Sequence, residues 1–253
     1  MIEEKAYKER FVEKPVGGKV YPILIAENPL AKKLYQFRIR GKSFFNEGET
    51  IDDATGNLYL IVSGRFAIQK TKEEIGQPFT LAVAGPGDII GWDGLAPNTI
   101  YSSSAFAERD SKVIPFSPYV AARLLFPKRR TDASDLFAEA FLETIAEAEL
   151  TGDVMKYGDV NQRTALAVWK YSPFARRVHT PDQPKRWSLG GEITHNQLAQ
   201  AAGTSRETLE REETGLAFLE RKGAIEKIGE GENSRIEIVN SEALAKLAHT
   251  RRL

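Results

Sequence analysis

The stretch I-T-H-N-Q-L-A-Q-A-A-G-T-S-R-E-T-L-E-R, residues 193 to 211, decides the fold of the last third of this 253-residue chain. Thr194 is suited to cap a first helix, and the apolar residues behind it recur at helical spacing on one face. Gly203 stands where a tight turn between two helices needs a residue that tolerates a positive φ. Thr204 or Ser205 is suited to cap a second helix. The stretch therefore predicts two short helices joined by a tight turn.

The second helix begins with side chains suited to reading DNA. Arg206 can bond O6 and N7 of guanine in bidentate fashion, and the adjacent Glu207 can accept from the N4 amino group of cytosine. Ser205 and Thr208 carry short hydroxyls of the kind that bond backbone phosphates, and Arg211 follows further along the same helix. Because the N-terminal residues of the second helix enter the major groove in a helix-turn-helix, we expect this stretch to read duplex DNA. An ordinary pair of capped amphipathic helices is the alternative.

A β-hairpin is predicted after these helices. Residues 224–228 (A-I-E-K-I) and 235–239 (R-I-E-I-V) both alternate apolar and charged side chains, and the turn-rich segment 229–233 (G-E-G-E-N) separates them. Two such runs around a glycine-containing loop are typical of a hairpin. Together with the two helices, the hairpin predicts a winged helix.

The composition indicates a globular protein with two cores. The chain is 42% hydrophobic and 28% charged, which is ordinary for 253 residues folded into two domains. No apolar run approaches the length of a membrane span, and the first ten residues do not resemble a signal peptide. We therefore expect a cytoplasmic protein without a membrane partner.

The inventory of chemically reactive residues excludes several classes of site. The chain has no cysteine, and its three histidines are His179, His195 and His249. Thiolate-held iron–sulfur clusters, zinc sites of cysteine type and redox-sensing thiols are excluded, and the first 178 residues have no imidazole for haem or zinc. The common phosphate-binding, hydrolase and metalloprotease motifs do not occur in the sequence. We expect no enzyme activity, no metal site and no cofactor.

Charge is distributed unevenly although the formal net charge is zero. From 156 to 187 there are seven basic residues against two acidic ones, whereas 131–155 holds seven acidic residues and no basic one. The basic surplus lies just ahead of the predicted helix-turn-helix, where we expect it to meet phosphates. A solvated charged surface is the alternative.

Short strands and one long helix are predicted before the basic region. Strand-like runs separated by Gly and Pro signals indicate a sandwich or a small jelly-roll barrel. These runs are residues 58–63, 65–69, 79–84, 89–91, 104–107 and 112–116. From about Asp132 to about Met155 the pattern becomes helical, with an acidic stripe beside an apolar one. The acidic stripe is Asp135, Glu139, Glu143 and Glu147, and the apolar stripe is Phe137, Phe141, Ile145 and Ala148.

This order of parts resembles the CRP/FNR superfamily of bacterial transcription regulators over nearly the whole chain. The segments F-F-N-E-G-E (44–49), L-Y-L-I-V-S-G-R-F-A-I (58–68) and G-P-G-D-I-I-G (85–91) are similar to that family's cyclic-nucleotide-binding β-roll. The segment T-S-R-E-T-L-E-R (204–211) is similar to its recognition helix. The resemblance implies an α+β fold with a β-roll (jelly-roll) sensor at 1–130, a central dimerisation helix at 131–157 and a winged helix-turn-helix at 158–253.

The resemblance also implies a function, a set of partners and a set of contacts. It implies a homodimeric, sequence-specific transcription regulator that binds a palindromic site in double-stranded DNA, with RNA polymerase as a further partner. Arg206, Glu207 and Arg211 are then expected to contact bases, and the remaining residues to hold phosphates or add contacts from the turn. Those remaining residues are Thr194, His195, Asn196, Ser205 and Thr208. A β-roll dimer that binds proteins, with a winged helix no longer used on DNA, is the alternative.

The sensor departs from the family pattern at the position of the effector. Cyclic-nucleotide binders of the family carry a glutamate for the ribose, and this chain has Trp92 at that position. Those proteins also carry an arginine for the cyclic phosphate, and that position falls near Ser102 in the segment Y-S-S-S-A of this chain. Between Lys72 and Arg109 there is no lysine or arginine. A buried phosphate without a cation loses its strongest hydrogen bonds, so we do not expect cyclic AMP to bind in the familiar mode.

Two interpretations of Trp92 remain open. Either the indole fills the pocket and the β-roll is a scaffold, or it lines a site for a different, unknown small molecule. The candidate effector pocket consists of Gly91, Trp92, Asp93, Ser102 and Ser103. An oxoacid such as 2-oxoglutarate would need an arginine for its carboxylates, and the cassette itself offers none, so Arg65 or a residue from the central helix would have to reach into the site.

The output domain departs from the family after Arg211. The sequence E-E-T-G-L-A-F-L-E-R-K-G-A-I at 212–225 is about one helical turn longer than the family's usual path to the wing. Glu212 and Glu213 stand where apolar residues are expected, and Gly215 weakens a helix interior. We expect the helix either to kink near Thr214 and Gly215 or to gain a turn.

Overall fold

The structure is a computed structural model that describes residues 29–51, 56–71, 78–95, 103–180, 183–190, 193–229 and 234–249. Contacts within the chain divide it into two compact units. The first unit contains the described residues from 29 to 148 except the short stretch 78–80, and the second unit contains that stretch and the residues from 149 onward. The division between residues 148 and 149 falls inside the long helix α3, Asp132–Tyr157.

The first unit is built from short strands followed by helices. In chain order its elements are α1 (Pro29–Gln36), β1 (Phe44–Phe45), β2 (Thr50–Ile51), β3 (Leu58–Ser63), β4 (Phe66–Thr71), β5 (Pro78–Ala84), β6 (Ile89–Ile90), a 3-10 turn (Trp92–Leu95), β7 (Ser104–Ala107), β8 (Ser111–Phe116), α2 (Pro118–Leu125) and α3. The strands form two sheets, ordered β1-β8-β3-β6 and β2-β7-β4-β5. The predicted β-roll and long helix are therefore confirmed, and the two-residue strands β1 and β2 are additions.

Strand β3 shows why its sequence is apolar at nearly every position. Tyr59 and Ile61 lie in the core between the two sheets, whereas Leu58 and Leu60 lie in a second core with the helices. Successive side chains of a strand point to opposite faces, so a strand covered on both faces is apolar throughout. The second core includes Phe137, which anchors α3 to this unit.

The second unit is a winged helix-turn-helix. In chain order its elements after α3 are α4 (Val160–Tyr171), a 3-10 turn (Ser172–Phe174), β9 (Arg176–Thr180), β10 (Gln183–Ser188), α5 (His195–Ala201), α6 (Arg206–Leu209), α7 (Gly215–Arg221), β11 (Ile225–Ile228), β12 (Arg235–Ile238) and α8 (Ser241–His249). The strands form one antiparallel sheet in the order β11-β12-β10-β9. The predicted hairpin is β11 and β12, although most of its loop, residues 230–233, lies outside the described residues.

Within the ranges that the structure describes, the helices are too short or too polar to cross a membrane.

Candidate nucleic-acid interface

Helix α5 begins with the cap that its sequence predicts. The Thr194 hydroxyl accepts a hydrogen bond from the backbone N–H of Gln197 at 3.2 Å, and the Gln197 side chain accepts from the backbone N–H of Thr194 at 2.8 Å. This reciprocal capping box satisfies two of the donors that a helix start leaves without partners. Thr194 and Asn196 are both exposed at this end of the helix.

The turn between α5 and α6 depends on Gly203. Its φ of 57° lies in the left-handed region, where a residue without a side chain carries no steric penalty. Arg163 from α4 donates to the carbonyl oxygen of Gly203 at 3.3 Å, and the Met155 methyl would lie only 2.5 Å from a β-carbon added at Gly203. The ends of α3 and α4 therefore hold this turn in place.

Helix α6 presents the predicted recognition residues at its first turn. Ser205 is the cap, and its hydroxyl accepts from the backbone N–H of Thr208 at 3.2 Å. Ser205 and Glu207 are exposed, while Arg206 and Thr208 are half-buried. A hydrogen bond from the Ser205 hydroxyl, together with one from the backbone N–H of Glu207, holds the pKa of Glu207 below its usual range. Glu207 is therefore an anionic acceptor at neutral pH.

Glu210 connects the two helices and the wing. Its Oε1 atom accepts from Nε of Arg206 at 2.9 Å and from Nδ1 of His195 at 2.6 Å. Nε2 of His195 in turn lies 3.3 Å from the hydroxyl of Ser234, just before β12. Burial alone would raise the pKa of Glu210, but the hydrogen bonds from His195 and Arg206 outweigh it and lower the pKa. The carboxylate is ionised and can only accept, so Nδ1 of His195 carries the proton.

His195, for which the resemblance implies an added DNA contact from the turn, is nearly buried. His195 lies in the first turn of α5 and is only 8% exposed. Both of its ring nitrogens lie within hydrogen-bonding distance of protein atoms, of Glu210 and of Ser234. Its place in the structure is that of a buried support.

The recognition helix is shorter than its sequence predicts. Helix α6 ends at Leu209, and Glu210 is its C-cap, so Arg211 lies outside the helix in an exposed position. A new helix, α7, begins at Gly215 with a φ of 57°. A β-carbon at Gly215 would overlap the carbonyl oxygen of Leu209. Of the two predicted alternatives, the extra helical turn is wrong, and the kink is a complete break between two helices.

The connection between α6 and α7 is held by several hydrogen bonds. The Thr214 hydroxyl donates to the carbonyl of Thr208 at 3.1 Å, and Arg221 donates to the carbonyls of Glu212 and Glu213. The side chain of Asn161 in α4 accepts from the backbone N–H of Gly215 at 2.9 Å. Glu212 and Glu213 are exposed because they belong to this connection and not to a helix core. The supporting role of Asn161 has no signal in the sequence, because it joins residues 54 apart.

Part of the predicted basic surplus is used inside the protein. Arg186 in β10 forms ion pairs with Glu226 of β11 and, at 3.2 Å, with Glu237 of β12. These two glutamates face each other in the hairpin, so Arg186 offsets their mutual repulsion. Lys170 is only 4% exposed. The expectation of phosphate contacts therefore does not hold for Arg186 and Lys170.

The candidate effector pocket is filled by aromatic packing on one side. The Trp92 ring lies 5.2 Å from that of Phe137 and 5.0 Å from that of Phe141, both in α3. The indole N–H has no hydrogen-bond partner among the described residues. Gly91, Asp93 and Ser103 are half-buried, and Ser102 lies outside the described residues. Of the two interpretations, this packing favours the indole as a core residue.

Arg65 does not reach the effector region as proposed from the sequence. Its Nε atom lies 2.6 Å from Oε2 of Glu108, and the two side chains are only 2% and 3% exposed. The carbonyl of Arg65 also accepts from the backbone N–H of Glu108 at 2.9 Å. The charge of Arg65 is used in a buried ion pair, so the suggestion that Arg65 could reach a carboxylate ligand does not fit its position.

Sequence comparisons assign both units to known domain families. Residues 40–125 match the cyclic nucleotide-binding domain, and residues 174–247 match the Crp-like helix-turn-helix domain. A β-roll followed by a winged helix-turn-helix defines the class of transcription regulators that couple these two domains. The chain belongs to the CRP/FNR superfamily.

Individual relatives agree with this assignment. The "Cyclic AMP receptor protein" of Thermus thermophilus is 29% identical over 228 residues, which cover 88% of this chain and 92% of that protein. The crystal structure of a CRP-family regulator from the same organism is 20% identical, covers 83% of this chain and 97% of its own, and has a TM-score of 0.57. The c-di-GMP-responsive regulator CLP of Xanthomonas campestris is 16% identical, covers 83% and 98%, and has a TM-score of 0.59. The two structural likenesses show a shared fold.

Proposed function

We propose that this chain is a sequence-specific DNA-binding regulator of the cytoplasm whose α6 reads bases in the major groove. The observation that carries the proposal is the capped first turn of α6, which presents Arg206 and the anionic Glu207 beside each other. An arginine suits guanine and a carboxylate suits cytosine, so the pair is matched to a step that contains G·C pairs. The short polar side chains nearby are proposed to bond phosphates. They are Thr194, Asn196, Ser205 and Thr208, while Arg211 contacts DNA from the connection after α6.

We further propose that the regulator is a homodimer joined along α3. Leu142 is 65% exposed and Ile145 is 40% exposed, although large apolar side chains in the middle of a helix are usually covered. They lie three residues apart and thus on one face of the helix. A second copy of the same face provides an apolar partner by two-fold symmetry. The symmetry of the selected DNA sites tests this proposal, because a two-fold dimer enriches palindromes.

We predict that selection from a randomised duplex pool enriches a palindrome with G·C pairs in each half-site. Arg206→Ala and Glu207→Ala are each expected to weaken binding to that site by about 1–3 kcal/mol and to relax preference at one base pair. The measurement is the dissociation constant for the enriched duplex and for each single-base variant at fixed salt. Arg40→Ala is the matched control, because Arg40 is an exposed arginine of the β-roll unit and should leave binding unchanged.

The opposite result would favour the protein-interaction alternative. If no sequence is enriched even at low salt, the DNA-reading proposal is wrong. If Arg206→Ala and Arg40→Ala weaken binding equally at every base pair, the two arginines act only through charge, and the proposed base contact is wrong.

We propose that cyclic AMP does not bind the β-roll in the usual mode, despite the name of the Thermus thermophilus relative. The packing of Trp92 against Phe137 and Phe141 supports this, together with the lack of a lysine or arginine between residues 72 and 109 of the sequence. At about 1 mM cyclic AMP or cyclic GMP we expect no shift of the melting temperature. Ligand at 100 times its Kd stabilises a protein by about 2.7 kcal/mol, which is a measurable shift.

The effector experiment also includes 2-oxoglutarate and cyclic di-GMP as ligands of other chemistry. A melting-temperature increase of the wild-type protein with cyclic AMP that survives in Trp92→Glu but vanishes in Ser102→Ala would contradict the proposal, because it would show that the ligand occupies the cassette although Trp92 is present.

A further inference from the structure

We propose that Glu210 is a specificity-determining positioning residue, which holds the Arg206 guanidinium in the orientation that reads a base. The inference rests on the proposed function of α6 and deepens it. Glu210 itself does not contact the base. It acts through Arg206, which its Oε1 atom binds at 2.9 Å.

The Glu210 carboxylate bonds one buried partner, His195, and one partly exposed partner, Arg206. His195 is 7% exposed at its side chain and donates to Oε1 of Glu210 at 2.6 Å. The Arg206 side chain is 31% exposed and lies at the first turn of α6. A lone exposed pair four residues apart contributes little to stability, because ordering two long side chains offsets the attraction. Here one partner is already held by a buried histidine, so less freedom is lost when the arginine joins.

The bond is made at the atom that sets the plane of the guanidinium. Nε belongs to the rigid planar fork, so an acceptor at Nε restricts the direction in which the other nitrogens point. Bidentate recognition of guanine depends on that direction, because two donors must meet O6 and N7 together. The bond to Glu210 uses one of the five donors that a guanidinium carries. Glu210 therefore preorganises the arginine for base reading.

The network also extends to the wing. Nε2 of His195 lies 3.3 Å from the Ser234 hydroxyl, which precedes β12. Hydrogen bonds through Glu210 and His195 thereby link the orientation of Arg206 to Ser234, the residue before the second strand of the wing. A salt bridge that served stability alone would have no need of this ordered chain from the recognition helix to the wing.

A carboxylate near DNA has a second, opposite effect that allows a sharp test. Negative charge beside phosphates weakens binding to any sequence, so removing Glu210 should strengthen non-specific binding. Removing Glu210 should also remove one restraint on the Arg206 side chain. The protein should then discriminate less well between the enriched duplex and a duplex changed at the base pair that Arg206 reads. We expect this discrimination to fall about two- to tenfold, because binding must then immobilise one long side chain that Glu210 no longer holds in place.

The experiment measures dissociation constants of the full chain for the enriched duplex, for its variant at the Arg206 base pair and for a random duplex. Glu210→Ala is compared with Glu213→Ala, which removes the same charge from an exposed side chain three residues away. Both substitutions should strengthen non-specific binding to a similar extent, but only Glu210→Ala should lower discrimination. Glu210→Gln keeps an acceptor oxygen and should restore part of the discrimination. Glu210→Ala added to Arg206→Ala should change discrimination no further.

The outcomes separate this inference from the proposed function. If the wild-type protein enriches no sequence, both fall together. If Arg206→Ala relaxes its base pair as proposed while Glu210→Ala and Glu213→Ala discriminate equally well, the positioning role of Glu210 is wrong and the proposed function stands. Thermal melts identify a variant that is unfolded. If Glu210→Ala is unfolded, Glu210→Gln carries the comparison, and discrimination by Glu210→Gln that lies between the values for Arg206→Ala and Glu213→Ala would support the inference. Wild-type discrimination in a double His195→Ala/Glu210→Gln variant would overturn it.

Discussion

Glu108→Ala is expected to destabilise the β-roll unit by about 3–5 kcal/mol, the range observed when one partner of a buried ion pair is removed. Arg65 and Glu108 are 2% and 3% exposed at their side chains, and their charged atoms lie 2.6 Å apart. Without the carboxylate, the guanidinium charge stays in a site from which water is excluded, and its desolvation is no longer offset by the ion pair. The measurement is urea unfolding of this unit, resolved by amide hydrogen exchange in β4 and β8.

Two further variants make this result specific. Glu47→Ala removes an exposed glutamate from the same unit and should change stability by no more than about 0.5 kcal/mol. Replacing both partners, as Arg65→Met with Glu108→Leu, should be much less costly than Glu108→Ala, because no buried charge is left behind. A loss below about 1 kcal/mol for Glu108→Ala would show that water reaches Arg65, and would contradict the buried pair.

The Arg65 pair illustrates a limit of sequence reasoning about this site. Arg65 and Glu108 are 43 residues apart. They meet because β4 pairs with β7 in a register that places Phe66 opposite Ala107. The strands themselves could be predicted from alternation and turn residues, which are local signals. The register that places these two charges together is a long-range property. A free arginine and a buried ion pair therefore look the same in the sequence.

In the recognition region, too, local sequence signals predict some features and miss others. The caps at Thr194 and Ser205 and the glycine turn at Gly203 depend on neighbouring residues, and each was predictable. The end of α6 was not, because L-E-R-E-E-T continues a helical pattern by intrinsic propensity. The break depends on Asn161 from α4, which accepts from the backbone N–H of Gly215, and on Arg221 from α7. Tertiary contacts therefore decide where the recognition helix stops.

The same distinction applies to His195 and Glu210. A histidine in the first turn of α5 is compatible with a DNA contact and with burial, and only the family resemblance favours the contact. The structure places His195 against Glu210, fifteen residues later, and against Ser234, thirty-nine residues later. The role of Glu210 thus follows from the packing of the wing on the two helices and has no local signature.

Gly215→Ala is expected to destabilise the winged-helix unit by about 2–5 kcal/mol and to abolish the sharp turn between α6 and α7. Two penalties combine at this position. A φ of 57° costs an alanine about 1–2 kcal/mol, and the new β-carbon would overlap the carbonyl oxygen of Leu209, which adds a packing penalty of about 1–3 kcal/mol. Relief of that overlap requires α6 and α7 to move apart, which would also displace Arg211. The Gly215→Ala protein should therefore discriminate less well between the enriched duplex and its variants, and it should also be less stable.

The chain offers two glycines that separate these penalties. Gly223 has a φ of 67°, and a β-carbon added there would meet open space among the described residues, so Gly223→Ala should cost only the backbone penalty of about 1–2 kcal/mol. Gly152 lies within α3 with similar open space, so Gly152→Ala should stabilise that helix by about 0.5–1 kcal/mol. Urea unfolding of the three variants should rank Gly215→Ala as the least stable and Gly152→Ala as the most stable. Equal losses for Gly215→Ala and Gly223→Ala would show that α7 does not approach Leu209 closely, because only the steric overlap distinguishes the two positions.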